Sequence, residues 1–157
     1  MIRLAVAVLL GLTPAAAHAV ERLNGEQIRR AFEGNTVSGR YSGSNLPFSE
    51  FHHSDGKASG HNRGKPNTDA CWTIVDDGVC YYYGEFDQRR AHCFWIEKTG
   101  NLYVIRSKPS GRINGVATIE PGDPRAYGEK AQWTCDRLLS QSPTFTPRDS
   151  APHLARR

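Results

Sequence analysis

Four cysteines stand downstream of a leader-like N-terminus, and three of them fall inside the aromatic block Cys71–Arg106. An even cysteine count in an exported chain reads as a disulfide framework, which limits the fold to a compact domain stapled across neighbouring elements. The export reading rests on the first nineteen residues. Met1-Ile2-Arg3 carries one positive charge, an apolar run follows from Leu4 to Leu12, and Pro14 interrupts it. Ala17-His18-Ala19 then offers small residues at the two positions a signal peptidase reads. The apolar run is too short to span a bilayer. Residues 1–19 are therefore expected to be a secretory signal peptide cleaved before Val20, giving a periplasmic or secreted bacterial protein. No cysteine stands at the cleavage position, so no membrane anchor is expected after cleavage.

The 157 residues carry 20 Lys+Arg against 16 Asp+Glu, a net charge of +4. Loss of Arg3 with the leader lowers this to +3, and Arg148, Arg156 and Arg157 lie close to the C-terminus. So mild an excess argues against nucleic acid as a partner, which needs a clustered basic face. Residues 20–139 have the length of a single β-rich domain with one modest core. Ser, Pro, Thr and Arg dominate 140–157, which reads as a disordered tail. A monomer without a cofactor is expected, partnered by an unidentified ligand or protein of the cell envelope.

One helix is strongly marked. Asn24 is placed as N-cap with Gln27 as its capping-box partner, and Leu23 and Ile28 occupy the two staple positions. Ile28, Ala31 and Phe32 form one apolar stripe, and Gly34 is placed to end the helix in a left-handed conformation. A helix this short must dock as a lid or plug to be stable.

From Asn35 to about Glu120 the chain reads as short strands between turns. Pro47–His53 and Lys57–Asn62 flank Asp55-Gly56, while Arg63–Asn67 reads as a loop. Ala70–Val75 and Val79–Tyr83 flank Asp76-Asp77-Gly78, and His92–Glu97 and Leu102–Arg106 flank Lys98-Thr99-Gly100-Asn101. Gly115–Ile119 is the last strand, closed by Pro121-Gly122-Asp123-Pro124. The expected fold is mainly β: an antiparallel meander or barrel-like sheet of six to eight strands with one N-terminal helix, stapled by disulfides. A second helix is expected over Gln132–Leu139.

Four cysteines allow three connectivities, and sequence alone does not select among them. If Val79–Tyr83 and His92–Glu97 are antiparallel neighbours, Cys80 and Cys93 fall opposite each other at a separation suited to a disulfide. A tight Asp77-Gly78 turn pairs Val75 with Cys80 and leaves Cys71 two side chains further along, free to join Cys135. The spacings contain no C-x-x-C pair and none of the patterns of a zinc site, so no metal is expected.

Candidate chemistry is sparse. Successive strand residues point to opposite faces, so His52 and His53 cannot both face one metal; with His61 they read as exposed positions on an edge hairpin. Tyr81 and Tyr83 share one face, and Tyr82 shares the other with Cys80. With Trp95 and His92 these tyrosines are the candidate ligand-binding residues, offering aromatic faces on which a sugar or peptide can stack. Glu85 and Asp87 lie beside Arg89, Arg90 and His92, an arrangement that reads as ion pairs rather than as an acid–base site. No nucleophile elbow and no phosphate-cradling glycine motif is present, so no catalytic residue is assigned.

The spaced residues Leu23-Asn24-Gly25-Glu26-Gln27-Ile28, Gly34-Asn35-Thr36 and Gly39 are similar to the opening of a family of small secreted bacterial proteins, domain of unknown function 995. The resemblance continues through Phe48, Asp55-Gly56, Gly60, Asp69 with Trp72, Asp77-Gly78, Cys80, Tyr83, Cys93, Gly100 with Tyr103, and Ile119–Pro124. It covers residues 23–124, with 125–139 as an extension. Cys71 and Cys135 depart from the pattern, which implies a shared Cys80–Cys93 bridge and a second bridge private to this chain. The resemblance implies no activity. The functional expectation is a non-catalytic ligand- or partner-binding β-domain of the envelope. The alternatives are a small hydrolase using His52, His61 or His92 with a carboxylate, or an inhibitor or accessory of envelope enzymes.

Overall fold

The computed structural model describes residues 19–84 and 90–135. Chain order opens with a two-residue strand, β1 (Glu21–Arg22), followed by α1 (Gly25–Phe32). The capping box closes on both sides: Gln27 N–H donates to Asn24 Oδ1 at 2.9 Å, and Asn24 N–H donates to Gln27 Oε1 at 2.8 Å. These bonds satisfy amides that the first helical turn leaves without partners. Gly34, at φ +71°, turns the chain out of the helix and donates its N–H to the His52 carbonyl at 2.8 Å. Eight residues of helix do not hold together alone in water. Docking supplies the stability, since Ile28 and Phe32 are fully buried, a contribution of roughly 1.5–3 kcal/mol each.

Eight strands of five or more residues make the sheet: β2 (Asn35–Tyr41), β3 (Pro47–His52), β4 (Ala58–Asn62), β6 (Cys71–Val75), β7 (Gly78–Tyr83), β8 (Arg90–Thr99), β9 (Leu102–Ser107) and β10 (Ile113–Pro121). A two-residue strand, β5 (Lys65–Pro66), adds to the edge at β4. The result is one curled antiparallel half-barrel in the order β5-β4-β3-β2-β10-β9-β8-β7-β6. Strand β1 pairs with β8 at Glu97 and Lys98, beyond the point where β7 ends. Two meanders, β2–β5 and β6–β10, therefore meet along a long β2–β10 seam, with Asn35–Tyr41 paired to Pro121–Gly115. On the far side the edges touch. Ala58 N–H donates to the Ala70 carbonyl at 3.0 Å, and Trp72 N–H donates to the Gly56 carbonyl at 2.7 Å.

The two ends of this half-barrel differ. At one end α1 packs beneath β2, β6 and β7, and Phe32, His52, Trp72 and Val79 fill the interior. At the other, Phe48 lies across the seam. Its strand partner is Gly39, where a Cβ would collide with the Val116 carbonyl oxygen and lie 2.6 Å from the Phe48 ring. Only bare backbone leaves room there for the ring.

Both disulfides form as the strand argument expects. Cys80 and Cys93 are direct register partners with Cα atoms 4.0 Å apart, and Cys71 joins Cys135 with Cα atoms 5.8 Å apart. Trp133 follows the second bridge onto the sheet, its indole N–H donating to the Ala70 carbonyl at 2.8 Å.

Several local expectations are corrected. The β6–β7 turn is Asp76-Asp77, with Val75 paired to Gly78 and Thr73 to Cys80, so Cys71 lies one side chain rather than two beyond the partner of Cys80 on its face. Asp76 itself takes the left-handed conformation, at φ +52°, that the expected turn assigned to glycine. Residues 131–135 are not helical; a single 3₁₀ turn, Gly128–Lys130, precedes them, and the bridge and Trp133 hold this segment in place of helix hydrogen bonds. The rest of the expected second helix, the leader up to His18, and the tail 140–157 lie outside the described residues, as do Glu85, Asp87 and Arg89. β3 is an interior strand rather than an edge, and His52 is buried rather than exposed.

Candidate functional site

The pleat of β3 sends Phe48, Glu50 and His52 into the interior and leaves Ser49 and Phe51 outside. Ser49 Oγ is 2.8 Å from Ser38 Oγ on the outer face, and Phe51 packs on His53 there. His52 meets the plugged end. Its ring makes edge contacts with Phe32, Trp72 and Tyr81, and its Nε2 lies 2.7 Å from the Tyr81 hydroxyl. Burial among these rings pushes its pKa from 6.5 down to about 3, so it is neutral at physiological pH. His53 bonds the Ser59 hydroxyl at 2.7 Å, and His61 rests edge-on against Tyr127. The three histidines face different surroundings, and the described residues contain no cluster of three metal-ligating groups.

Two residues before His52, Glu50 faces the open end. A cavity of about 300 Å³ lies above it, walled by Tyr41, Phe48, Tyr81, Tyr83, Phe94 and Ile105, with Asn62, Arg63, His92 and Asn114 also lining it. That volume is at the lower end of small-molecule sites. Glu50 Oε1 accepts from Asn67 Nδ2 at 2.7 Å and from the Tyr83 hydroxyl at 3.0 Å. Asn67 is itself held in place, its backbone N–H bonded to the Gly60 carbonyl at 2.8 Å and its side chain reaching the Ala58 carbonyl at 3.3 Å. Burial raises the Glu50 pKa from 4.5 to about 7, and the two donated bonds pull weakly the other way. No described cation pairs with it.

The aromatic wall feels the same environment. The Tyr41 hydroxyl donates to Asn62 Oδ1 at 2.8 Å, and burial, then the nearby Glu50 charge, pushes its pKa up to about 12. Burial holds Tyr81 and Tyr83 well above their ordinary range, with Glu50 again adding to it. All three phenols stay protonated. At the rim the Arg63 guanidinium sits 4.9 Å from the centre of the Tyr41 ring, in cation–π contact.

Of the residues singled out from sequence, Tyr81, Tyr83 and His92 come together on this cavity. Tyr82 and Trp95 do not. The pleat turns both to the outer face, where Trp95 carries Arg22 over its ring at 4.1 Å and Lys108 at 5.6 Å. Glu50, Tyr41 and Asn67 were not legible as site residues. The readable cue was the alternation Phe48-x-Glu50-x-His52, which places a carboxyl between two rings on one strand face.

No protein-family model, curated protein or solved structure matches the chain. Among the described residues no helix is long and apolar enough to cross a membrane.

Proposed function

We propose that the chain is an exported, non-catalytic β-domain that binds a compact ligand in the open end of its half-barrel, acting in the periplasm or outside the cell. The export part rests on the leader pattern of residues 1–19 and on two disulfides, which persist in oxidising compartments. The likeness to domain of unknown function 995 is carried forward on the same footing, on its spaced residues alone. The binding part rests on one observation: a tyrosine-walled cavity closes over a buried carboxyl that two neighbours orient. An apolar recess with a few convergent polar groups has the make-up of a small-molecule site.

Hydrolysis has one point in its favour. Glu50 and His92 line the same cavity, and a carboxyl with a pKa of about 7 is suited to acid–base work. Among the described residues, however, no Ser, Thr or Cys lines that cavity, so a serine-, threonine- or cysteine-based acyl route has no nucleophile there. Binding is therefore the reading advanced.

The test is a thermal-shift and calorimetric screen of the disulfide-bonded protein against sugars, peptidoglycan fragments, small amines and small carboxylic acids. A ligand of the cavity raises Tm with concentration, and Asn114→Trp, which fills the lip from β10, removes the response. A screen in which no compound responds, or in which Asn114→Trp responds like the parent, overturns the site. Intact-mass analysis of exported protein checks the leader, with Val20 expected as the first residue.

A further inference from the structure

Among the described residues, none supplies a counter-charge to the carboxyl at the floor of the cavity. Glu50 is 5% exposed, both of its bonds fall on Oε1, and both donors, Asn67 and Tyr83, are neutral. Buried carboxylates in folded proteins are matched by a cation, because an isolated charge in a poorly polarisable interior is costly. Here no described Lys or Arg fills that role. The neighbouring space is instead lined by the faces and edges of tyrosine and phenylalanine rings, whose negative faces attract cations. The rim already shows this preference in the protein's own chemistry, with the Arg63 guanidinium lying over Tyr41.

We propose that the cavity takes a compact organic cation, an amine or quaternary ammonium head group, with Glu50 as its counter-ion and Tyr41, Tyr81, Tyr83 and Phe94 as its aromatic walls. This rests on reading the cavity as a ligand site. The cation pairs with Oε2, to which no described residue donates, and stacks against the rings. Tyr83 and Asn67 are positioning residues, fixing the carboxylate by bonds to Oε1 and leaving Oε2 for the cation.

A neutral counterpart of nearly the same shape makes the test sharp. Choline and 3,3-dimethylbutan-1-ol differ by a quaternary nitrogen in place of a carbon, and 3,3-dimethylbutanoate supplies the anionic comparison. Calorimetric titration of the disulfide-bonded protein at pH 8 is expected to show choline binding at least tenfold tighter than the alcohol and the anion not binding. Only the ionised carboxyl pairs with the cation, so choline affinity falls about a hundredfold from pH 8 to pH 5 while affinity for the alcohol stays level. Glu50→Gln abolishes both the preference for choline and its pH dependence.

Equal or tighter binding of the alcohol, or a choline affinity indifferent to pH or to Glu50→Gln, overturns the cation while leaving the cavity as a ligand site. Absence of binding by all three probes, together with a blank screen of the wider panel, overturns both. Should Glu50→Gln fold poorly, the pH series on His92→Gln, which removes the other carboxyl or imidazole group described on the cavity, decides the matter: an unchanged hundredfold fall keeps Glu50 as the counter-ion and a flat series overturns it.

Discussion

His52 and Glu50 are two residues apart on one face of one strand, and both are buried, yet they face opposite ends of the same half-barrel. Below His52 the interior is filled by Phe32, Trp72 and Tyr81. Above Glu50 it is a cavity. Desolvation acts on both groups and favours the neutral form of each, so it lowers the histidine pKa and raises that of the glutamate. What differs is whether anything can still arrive. The filled end encloses its histidine among rings, with Nε2 bonded to Tyr81 and Nδ1 left without a partner among the described residues, whereas the open end leaves its carboxyl responsive to whatever enters. A helix of eight residues makes that difference by stoppering one end and not the other.

The largest effect lies with His52. Its folded pKa is below its unfolded value, so the stability it contributes is complete above pH 6.5 and is lost as pH falls toward 3, a total of about 5 kcal/mol. Glu50 runs in the other direction. Its folded pKa is above its unfolded value, so its contribution is complete below pH 4.5 and is lost as pH rises toward 7, about 3 kcal/mol in all. Between pH 4.5 and 6.5 the two slopes cancel, and denaturant melts of the parent across that window should show no pH dependence from this pair. In Glu50→Gln the compensation is gone, and stability should fall by the full histidine amount between pH 7 and pH 3.

Next is Phe32→Ala, expected to cost about 4 kcal/mol in urea unfolding, because the ring is fully buried and the helix cannot easily collapse onto the gap. Water admitted at that end should also bring the His52 pKa back toward its ordinary value, which imidazole proton chemical shifts would report. An unchanged His52 titration would show that α1 is not what dries that end. Third, Glu50→Gln should stabilise the protein at pH 8 by about 3 kcal/mol and be neutral at pH 4, the difference tracing the glutamate titration alone. The smallest effect is Tyr83→Phe. Loss of one donor to the carboxylate should cost about 1 kcal/mol at pH 8 and move the Glu50 midpoint upward, with little change at pH 4.

The framework was open to sequence reading where local chemistry decides it. Asn24 with Gln27, and Gly34 after Phe32, mark the helix by rules confined to a few residues, and the structure keeps all three. Cys80 opposite Cys93 follows from the antiparallel pairing of two strands that are neighbours in sequence. The β6–β7 register was misjudged because Asp76 adopts a conformation usually left to glycine, which the Asp77-Gly78 pair made the more obvious choice. The floor of the cavity was hidden for a different reason. In Pro47-Phe-Ser-Glu-Phe-His52 the two phenylalanines are three apart and cannot share a strand face, so the pattern does not say which side is inside. The answer depends on what covers Phe51 and on where α1 docks, and neither is written in β3. Asn67 illustrates the same limit, because a loop residue reaches Glu50 only through the pairing of β4 with β5.

The β2–β10 seam carries a consequence in time. Synthesis delivers β2 first, but the strand that completes the pairing along its length ends at Pro121, more than eighty residues later. Until then β2 is an open edge, and an unpaired edge is a template for other chains. The second meander is under no such constraint, since β6 to β10 are sequential neighbours and the Cys80–Cys93 bridge closes within it. Contacts this distant in sequence slow folding. The early half of the molecule must wait, exposed, for the late half, and a chaperone that shields nascent strands would have most to protect in residues 35–66.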